Sequence, residues 1–401
     1  VRIGLLILLV GWVVGWWLLW KVPRLHRAGP VEAGSLADCA LIIPARNEAH
    51  NLPHLLASIE QQHPRPSQVI VVDDGSDDDT PEVARSFPFV TVVPAGALPE
   101  GWTGKAWACS QGASVAQATT LVFVDADVTF GPGGLAAVLA TLAERGGLVS
   151  VQPHHRIERI DERFSALFNI VGVMGVGMAS PGRDGRSSAA FGPCLATSAD
   201  DYRSIGGHGA VRADIVEDLA LARAYREEQI AVHAFGGGDE VSFRMYPGGM
   251  AELVEGWSKN FATGAGATSV VRLMLTGMWV TAVLASVQFA IEHVTGRGEF
   301  SWLDVALVWL AFSVQIGVML RQLGRFGVLT AVLYPAPALV FVLVFVRSVW
   351  LTLVRRRVSW RGRHVPVGGP RGRRTPVPSP SDASGDPDGD GRSAGDEEAA
   401  A

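Results

Sequence analysis

The sequence predicts an α/β domain with a mostly parallel sheet and helices on both faces, joined to one N-terminal and about three C-terminal transmembrane helices. Three observations carry this expectation. Runs of four apolar residues alternate with helical patterns between about residues 38 and 265. Long apolar stretches lie on both sides of that region. Of 401 residues, 48% are hydrophobic and only 18% charged, against roughly 25% charged in an ordinary globular chain. Such a chain is neither disordered nor a small disulfide scaffold. A formal net charge of -5 also speaks against the basic surface of a nucleic-acid binder, so no nucleic acid is expected as a partner.

Residues 1–20 hold one charge, Arg2, in an otherwise apolar run, long enough to cross a bilayer. They read as an anchor rather than a cleaved signal. Lys21, Pro23, Arg24, His26 and Arg27 follow directly where a small-residue cleavage site would stand. That basic cluster places the next domain in the cytoplasm, with the N-terminus outside.

In the region 38–265, Ala40-Leu41-Ile42-Ile43 leads into Pro44, Val69-Ile70-Val71-Val72 into Asp73-Asp74, and Leu121-Val122-Phe123-Val124 into Asp125-Ala126-Asp127. Runs apolar on both faces suit central parallel strands. The spacing predicts helices over about 49–62, 79–86 and 105–117. A βαβα order gives a mostly parallel sheet, and such sheets bind ligands beyond the C-terminal ends of their strands. Pro44–Glu48, Asp73–Asp78 and Asp125–Asp127 fall there.

These strand ends carry carboxylates in place of a glycine-rich dinucleotide loop or a Walker lysine motif. Side chains two apart on an extended segment share a face, so Asp125 and Asp127 point the same way. Close carboxylates repel unless a cation intervenes. Mg²⁺ or Mn²⁺ shared with phosphate oxygens would serve; an Asp-rich turn is the plain alternative. Lys105, at a predicted helix start, is either a phosphate contact or a solvated lysine. Glu217-Asp218 opens a predicted helix over 219–228. The pair either complements its dipole or supplies Asp218 as a general base. His208 either lines an acceptor site or ends a turn. Arg244 either meets a phosphate or snorkels at a membrane edge. Residues 250–262, with Trp257 and Lys259, read as an amphipathic interface helix.

Three further apolar stretches, about 270–291, 303–320 and 328–346, form a predicted membrane block over 270–350. Four spans starting outside would return the chain outside. The basic segment 355–365 prefers the cytoplasmic leaflet. Tyr334-Pro335-Ala336-Pro337 offers a break in the last stretch, letting it re-enter rather than cross. From 366 to 401 Gly, Pro, Ser, Arg and Asp dominate, and disorder is expected. From Asp382 to Glu398 there are seven acids against one arginine, so the global charge is largely a tail effect. Cys39, Cys109 and Cys194 are too scattered for a metal or disulfide framework and read as small buried hydrophobes.

Taken together, Pro44-Ala45-Arg46-Asn47-Glu48, Asp73-Asp74-Gly75-Ser76, Gly101-Trp102-Thr103-Gly104-Lys105, Asp125-Ala126-Asp127 and Glu217-Asp218 resemble the membrane-bound family 2 glycosyltransferases of the GT-A fold. More narrowly, Arg244-Met245-Tyr246-Pro247, Gly256-Trp257-Ser258-Lys259-Asn260-Phe261 and Trp360-Arg361-Gly362-Arg363 resemble bacterial enzymes that glycosylate carotenoid acids, and their hopanoid-associated relatives. The resemblance covers about residues 1–365. It implies a metal-dependent enzyme of the bacterial cell membrane that transfers a sugar, glucose favoured, from a UDP-sugar with inversion to a membrane-resident isoprenoid lipid, a carotenoid acid or alcohol. Ala45, Arg46, Glu48 and one of Asp73 and Asp74 would contact the uridine, and Asp125 would sit by the ribose. Pro44, Ala126 and Lys105 would belong to the same nucleotide-sugar site, Lys105 as a helper at the phosphates. Asp127 would ligate the Mn²⁺ or Mg²⁺, and Asp218 would be the base. Glu217, His208, Arg244, Trp257 and Lys259 would be acceptor or phosphate contacts. Processive relatives carry an Arg-Trp motif where this chain has Glu255-Gly256-Trp257-Ser258-Lys259-Asn260, which departs from a polysaccharide synthase. Other lipid acceptors (a hopanoid, polyprenyl phosphate, diacylglycerol or ceramide) are the alternatives within the enzyme class. A non-catalytic membrane scaffold and a transporter are the alternatives outside it. The four retained aspartates, Asp74, Asp125, Asp127 and Asp218, weigh against the scaffold. The long βα region weighs against the transporter.

Overall fold

The computed structural model describes residues 2–26, 38–63, 65–214, 216–264, 268–297, 300–351, 357–360 and 363–366. Along the chain these form α1 (Arg2–Leu18), β1 (Cys39–Ala45), α2 (Leu52–Glu60), β2 (Gln68–Asp73), α3 (Thr80–Arg85), β3 (Val90–Pro94), α4 (Gly104–Val115), β4 (Thr120–Val124), β5 (Val128–Phe130), α5 (Gly134–Arg145), β6 (Leu148–Gln152) and β7 (His154–His155). There follow α6 (Ala166–Val176), β8 (Cys194–Ser198), α7 (Ala199–Ser204), α8 (Glu217–Glu227), β9 (Val232–Gly236), β10 (Val241–Phe243) and α9 (Met250–Gly264). The last elements are α10 (Val270–Val294), α11 (Trp302–Leu323), α12 (Val328–Val332), α13 (Pro335–Trp350), β11 (Arg357–Trp360) and β12 (Arg363–Pro366).

The main sheet runs β3-β2-β1-β4-β8-β6-β9. Its pairs β2–β3, β1–β2, β1–β4 and β6–β9 are parallel, and β8 is antiparallel to both neighbours. The sheet is therefore mostly parallel, as the apolar runs predict, with one reversed strand. Leu41, Ile43, Val69, Val71, Val122 and Val124 are buried against α2 and α5 on one face, while Ile42, Ile70, Val72 and Phe123 are buried on the other, towards α4 and α8. Burial on both faces is why these strands read as continuous apolar runs rather than alternating ones. A second small sheet, β5-β10-β7, extends the C-terminal edge.

The expected set of one N-terminal and three C-terminal spans is not what the chain forms. Among the described residues, two helices are long and apolar enough to cross a membrane, α10 with 25 residues and α11 with 22. At about 1.5 Å per residue α10 reaches about 37 Å, more than the roughly 30 Å of a hydrocarbon core. The N-terminal stretch is helical for 17 residues, about 26 Å. The stretch 328–346 is broken between α12 and α13, where Pro335 is the first residue of the new helix. A proline has no N–H to continue the preceding helix, so it starts the next one instead. That leaves α13 only 16 residues. The expected interface helix 250–262 is present as α9. The expected tail lies outside the described residues, except for Pro366 at the end of β12.

α1 lies along α10 with small residues at the crossing. A Cβ on Gly11 would overlap Ala282, and one on Gly15 would overlap the Trp279 ring. Gly11 and Gly15, four apart, let two backbones approach as in small-xxx-small helix pairs. The fully buried Gln315 of α11 ties all three helices. It accepts from Trp279 Nε1 at 2.9 Å and donates to the Trp12 carbonyl at 2.6 Å. The helices are also pinned to the sheet. Arg325 N donates to His155 O at 2.9 Å, and Gly236 N donates to Pro23 O at 2.8 Å.

Candidate active site

The predicted motifs converge at the C-terminal ends of β1, β2 and β4. Ala45 lies in register with Asp73, and Pro44 with Val72. The loops that follow these two strands clasp one another. Asn47 N donates to Ser76 Oγ at 3.0 Å, Asp77 N to Asn47 Oδ1 at 2.8 Å, and Glu48 N to Thr80 Oγ1 at 2.8 Å. Asn47 takes φ 54°, the left-handed region that Asn tolerates best among residues with a Cβ. Arg46 donates to the Asp74 carbonyl at 3.1 Å and lies 3.8 Å from its carboxylate. Asp73 accepts from Ser76 N at 3.2 Å. Glu48 accepts from Asn51 Nδ2 at 2.8 Å.

The charged centre lies across β4. The Lys105 ammonium, on the first turn of α4, is 2.7 Å from Asp125 Oδ1 and 2.9 Å from Glu217 Oε1. Thr103 caps that helix, its hydroxyl accepting from Ala106 N at 3.4 Å. Burial disfavours the Lys105 charge, but Asp125 and Glu217 outweigh it and hold the ammonium well above the ordinary lysine range. Asp218, next to Glu217 in the first turn of α8, is half-buried. Desolvation, followed by repulsion from Glu217, lifts its carboxyl from 3.8 to about 7, against the opposing pull of Lys105 and two backbone N–H groups, those of Leu219 and Gly192. A carboxyl titrating near neutrality is matched to proton transfer at the working pH of a cell.

Gly192 was not singled out by sequence reasoning. A Cβ there would sit 3.1 Å from Asp218 Oδ2 and 3.3 Å from Lys105 Nζ, so it would press on both charged groups. Its only sequence signal is a glycine in Phe191-Gly192-Pro193 just before a strand. Asp127 belongs to an adjoining cleft of about 120 Å³, lined by His50, Asn51, His54, Arg156, Glu158 and Arg244. His50, Asn51, His54 and Arg156 were likewise missed, because nothing in their spacing connects them to Asp127.

The remaining candidates are engaged in packing or in ion pairs. His208 is buried in the core, its Nδ1 2.8 Å from the Tyr202 hydroxyl and its ring 4.9 Å from that of Phe123. Burial lowers its pKa to about 4, so it stays neutral behind the site. Arg244 is held by Glu158 at 2.8 Å and Glu162 at 2.7 Å. Trp257 stacks on Phe168 at 5.0 Å beneath α9. The Lys259 side chain lies outside the described residues. Ala126 is buried between the two acidic positions.

Among the described residues no group of three or more His, Cys, Asp and Glu is placed to hold a metal ion. Asp127 alone therefore does not make a resident metal site. It fits a divalent ion that arrives with phosphate oxygens, since such ions bind through one or two carboxylates plus substrate phosphate.

A strand-end crevice with aspartates, a lysine and a carboxyl lifted towards neutrality suits a group-transfer enzyme; Asp125 and Asp127, expected to share a face, are separated by the turn at 126–127 and line adjoining clefts. Residues 40–182 match the model of glycosyl transferase family 2, and the chain belongs to that family. It is closely related to 4,4'-diaponeurosporenoate glycosyltransferase of Staphylococcus aureus strain USA300, with 37% identity over 331 residues, 82% of this chain and 88% of that protein. The protein of the same name from strain MRSA252 gives the same figures. A crystal structure of glucosyl-3-phosphoglycerate synthase from Mycobacterium tuberculosis with Mn²⁺ and UDP-glucose covers 62% of this chain and 87% of its own, at 20% identity and a TM-score of 0.41. A score that low lends nothing to the donor or the metal.

Proposed function

We propose that the protein transfers a sugar, glucose first among candidates, from a UDP-sugar to the carboxylate or hydroxyl of a carotenoid-type isoprenoid lipid, with inversion at the anomeric carbon. The observation that carries this is the Asp218 carboxyl, poised near neutrality beside the Lys105–Asp125–Glu217 cluster, in a chain closely related to a carotenoid-acid glycosyltransferase. The clasped loops at Pro44–Glu48 and Asp73–Asp78 take the uridine in this reading. Asp125 faces the ribose, with Lys105 and Arg244 on the phosphate side. Asp127 would hold a Mn²⁺ or Mg²⁺ ion together with the diphosphate, and when bound the ion neutralises charge on the leaving group.

The acceptor approaches Asp218 from the face opposite the diphosphate. An alcohol must lose a proton as it attacks, and Asp218 in its ionised form takes it. A carboxylic acid is already ionised near neutrality. Asp218 then orients it and, when protonated, donates a hydrogen bond. A water-soluble donor and a lipid acceptor also account for the layout. α10 and α11 present apolar faces, Met274, Met278, Leu307, Leu310 and Val314 among them. They would seat the catalytic face on the cytoplasmic leaflet, where an isoprenoid tail lies among the helices.

The test is product analysis. Membranes containing the full chain are supplied with UDP-glucose, UDP-galactose or UDP-N-acetylglucosamine, with and without Mn²⁺, and with a carotenoid acid, a polyprenyl phosphate or diacylglycerol. A glucosyl ester of the carotenoid acid, formed only with Mn²⁺ or Mg²⁺, is the expected product. Transfer to diacylglycerol or polyprenyl phosphate alone would replace the acceptor assignment, and no turnover of any UDP-sugar would remove the donor.

A further inference from the structure

We infer that Ser150 is a positioning residue for Asp218, acting through the tripeptide Phe191-Gly192-Pro193. The inference rests on the catalytic reading of Asp218 given above. Ser150 is fully buried on β6, in register with Leu195 of β8 and Ala234 of β9. Its hydroxyl accepts from Phe191 N at 2.6 Å and donates to Phe191 O at 3.1 Å. Phe191 lies before β8 begins, so neither backbone group has a strand partner. One hydroxyl satisfies both.

The next two residues carry that anchorage into the site. Gly192 lies against the charged groups, where a Cβ on it would come 3.1 Å from Asp218 Oδ2 and 3.3 Å from Lys105 Nζ, and its backbone N–H helps to hold the Asp218 pKa down. The Pro193 carbonyl accepts from Asp125 N at 2.9 Å. Three consecutive residues therefore join β6, the base and the β4 carboxylate. Gly192 has no side chain to stiffen it, while Pro193 restricts φ on one side. The remaining fixed point is Phe191, and Ser150 supplies it. Losing that hydroxyl strands two buried backbone groups, and the segment relieves them by shifting, which changes the distance from Gly192 N–H to Asp218.

The groups facing Asp218 are Glu217 on its own helix, Lys105 on α4, and the N–H groups of Gly192 and Leu219. The Gly192 N–H, placed against Asp218, favours the ionised carboxylate. A Gly192 that shifts away therefore moves the acid limb of kcat/KM to higher pH, by about half a unit or more.

The experiment uses the full chain in membranes, with UDP-glucose and an alcohol acceptor. Ser150→Ala is expected to lower kcat about tenfold, to leave KM for the donor unchanged and to move the acid limb upward. Thr197→Val is the control. Thr197 is an equally buried hydroxyl on β8 that accepts from Tyr225 at 2.9 Å. This variant should lose comparable thermal stability with the acid limb unmoved. Wild-type kcat and pH profile in Ser150→Ala, beside a lowered Tm, would overturn the inference. If Ser150→Ala does not fold, Ser150→Cys, which fills the site but bonds weakly through sulfur, reads the same connection, and an unmoved limb there overturns it as well. Activity near the parent's in Asp218→Asn with the alcohol acceptor defeats the reading of Asp218 itself. An inactive Asp218→Asn beside a normal Ser150→Ala defeats only the role of Ser150.

Discussion

At the ends of β1 and β2, polar groups satisfy one another. Backbone N–H groups of Asn47, Glu48 and Asp77 meet side-chain oxygens across the two loops. Across β4 and α8 the opposite holds. One ammonium serves two carboxylates at 2.7 and 2.9 Å, and a third carboxyl is left near neutrality. The first half is a preformed cradle whose energy is spread over many bonds, the backbone-to-side-chain ones worth about 1 kcal/mol each. The second half concentrates charge in a partly dry place, where a single change moves every neighbour. The proposed function assigns binding to the first and chemistry to the second.

That division can be broken most visibly at Asp218. Asp218→Asn should cost about 10³-fold in kcat with an alcohol acceptor and far less with a carboxylic acid, while calorimetry shows unchanged UDP affinity. Equal, total loss with both acceptors would erase the distinction between base and orienting group, and lost UDP binding would merge the two halves. Next comes Lys105→Met, which leaves Asp125 and Glu217 uncompensated and removes the charge that holds the Asp218 pKa down. Activity at pH 7 should fall about 10²-fold. Stability should fall by about 1–2 kcal/mol once the exposure of this lysine, 35%, is allowed for. On the cradle side, Asn47→Gly keeps the positive φ but loses the bond from Asp77 N. The expected result is a donor KM raised about fivefold with kcat within about twofold.

The smallest effect is thermodynamic. The Asp218 pKa is raised from 3.8 to about 7 in the folded chain. Its contribution is therefore intact below pH 3.8 and lost as pH rises through 7. Asp218→Asn escapes that loss. It should be more stable than the parent at pH 8, by about 1 kcal/mol, and not at pH 4. A thermal melt at the two pH values checks the sign.

The cradle was legible because its parts are short in sequence. Apolar runs of four followed by Pro44–Glu48 and Asp73–Asp78 place themselves at strand ends, and the register of Ala45 with Asp73 agrees. Asp125 and Lys105 were legible as residue types, but not as an ion pair. Gly192 and Ser150 were not legible, since their roles depend on β8 running antiparallel between β4 and β6, which no local pattern announces. The helices failed differently. Hydropathy reported apolar length but not continuity; Pro335 and Pro337 marked the break that leaves α13 with 16 residues, while nothing marked the N-terminal helix as falling short at 17. His208 shows the same limit. A Gly-Gly-His turn looks exposed in sequence, yet Tyr202 and Phe123 close around it.

The central claim is that burial, with repulsion from Glu217 and against the pull of Lys105, tunes Asp218 to act near neutrality. The direct measurement is the pH dependence of kcat/KM for an alcohol acceptor, on the full chain with saturating UDP-glucose. The account predicts an acid limb near pH 7, because activity needs the ionised carboxylate and its pKa is about 7. That limb should be missing from the residual activity of Asp218→Asn. A limb near pH 4, where an unperturbed aspartate titrates, or one that persists in Asp218→Asn, would contradict it.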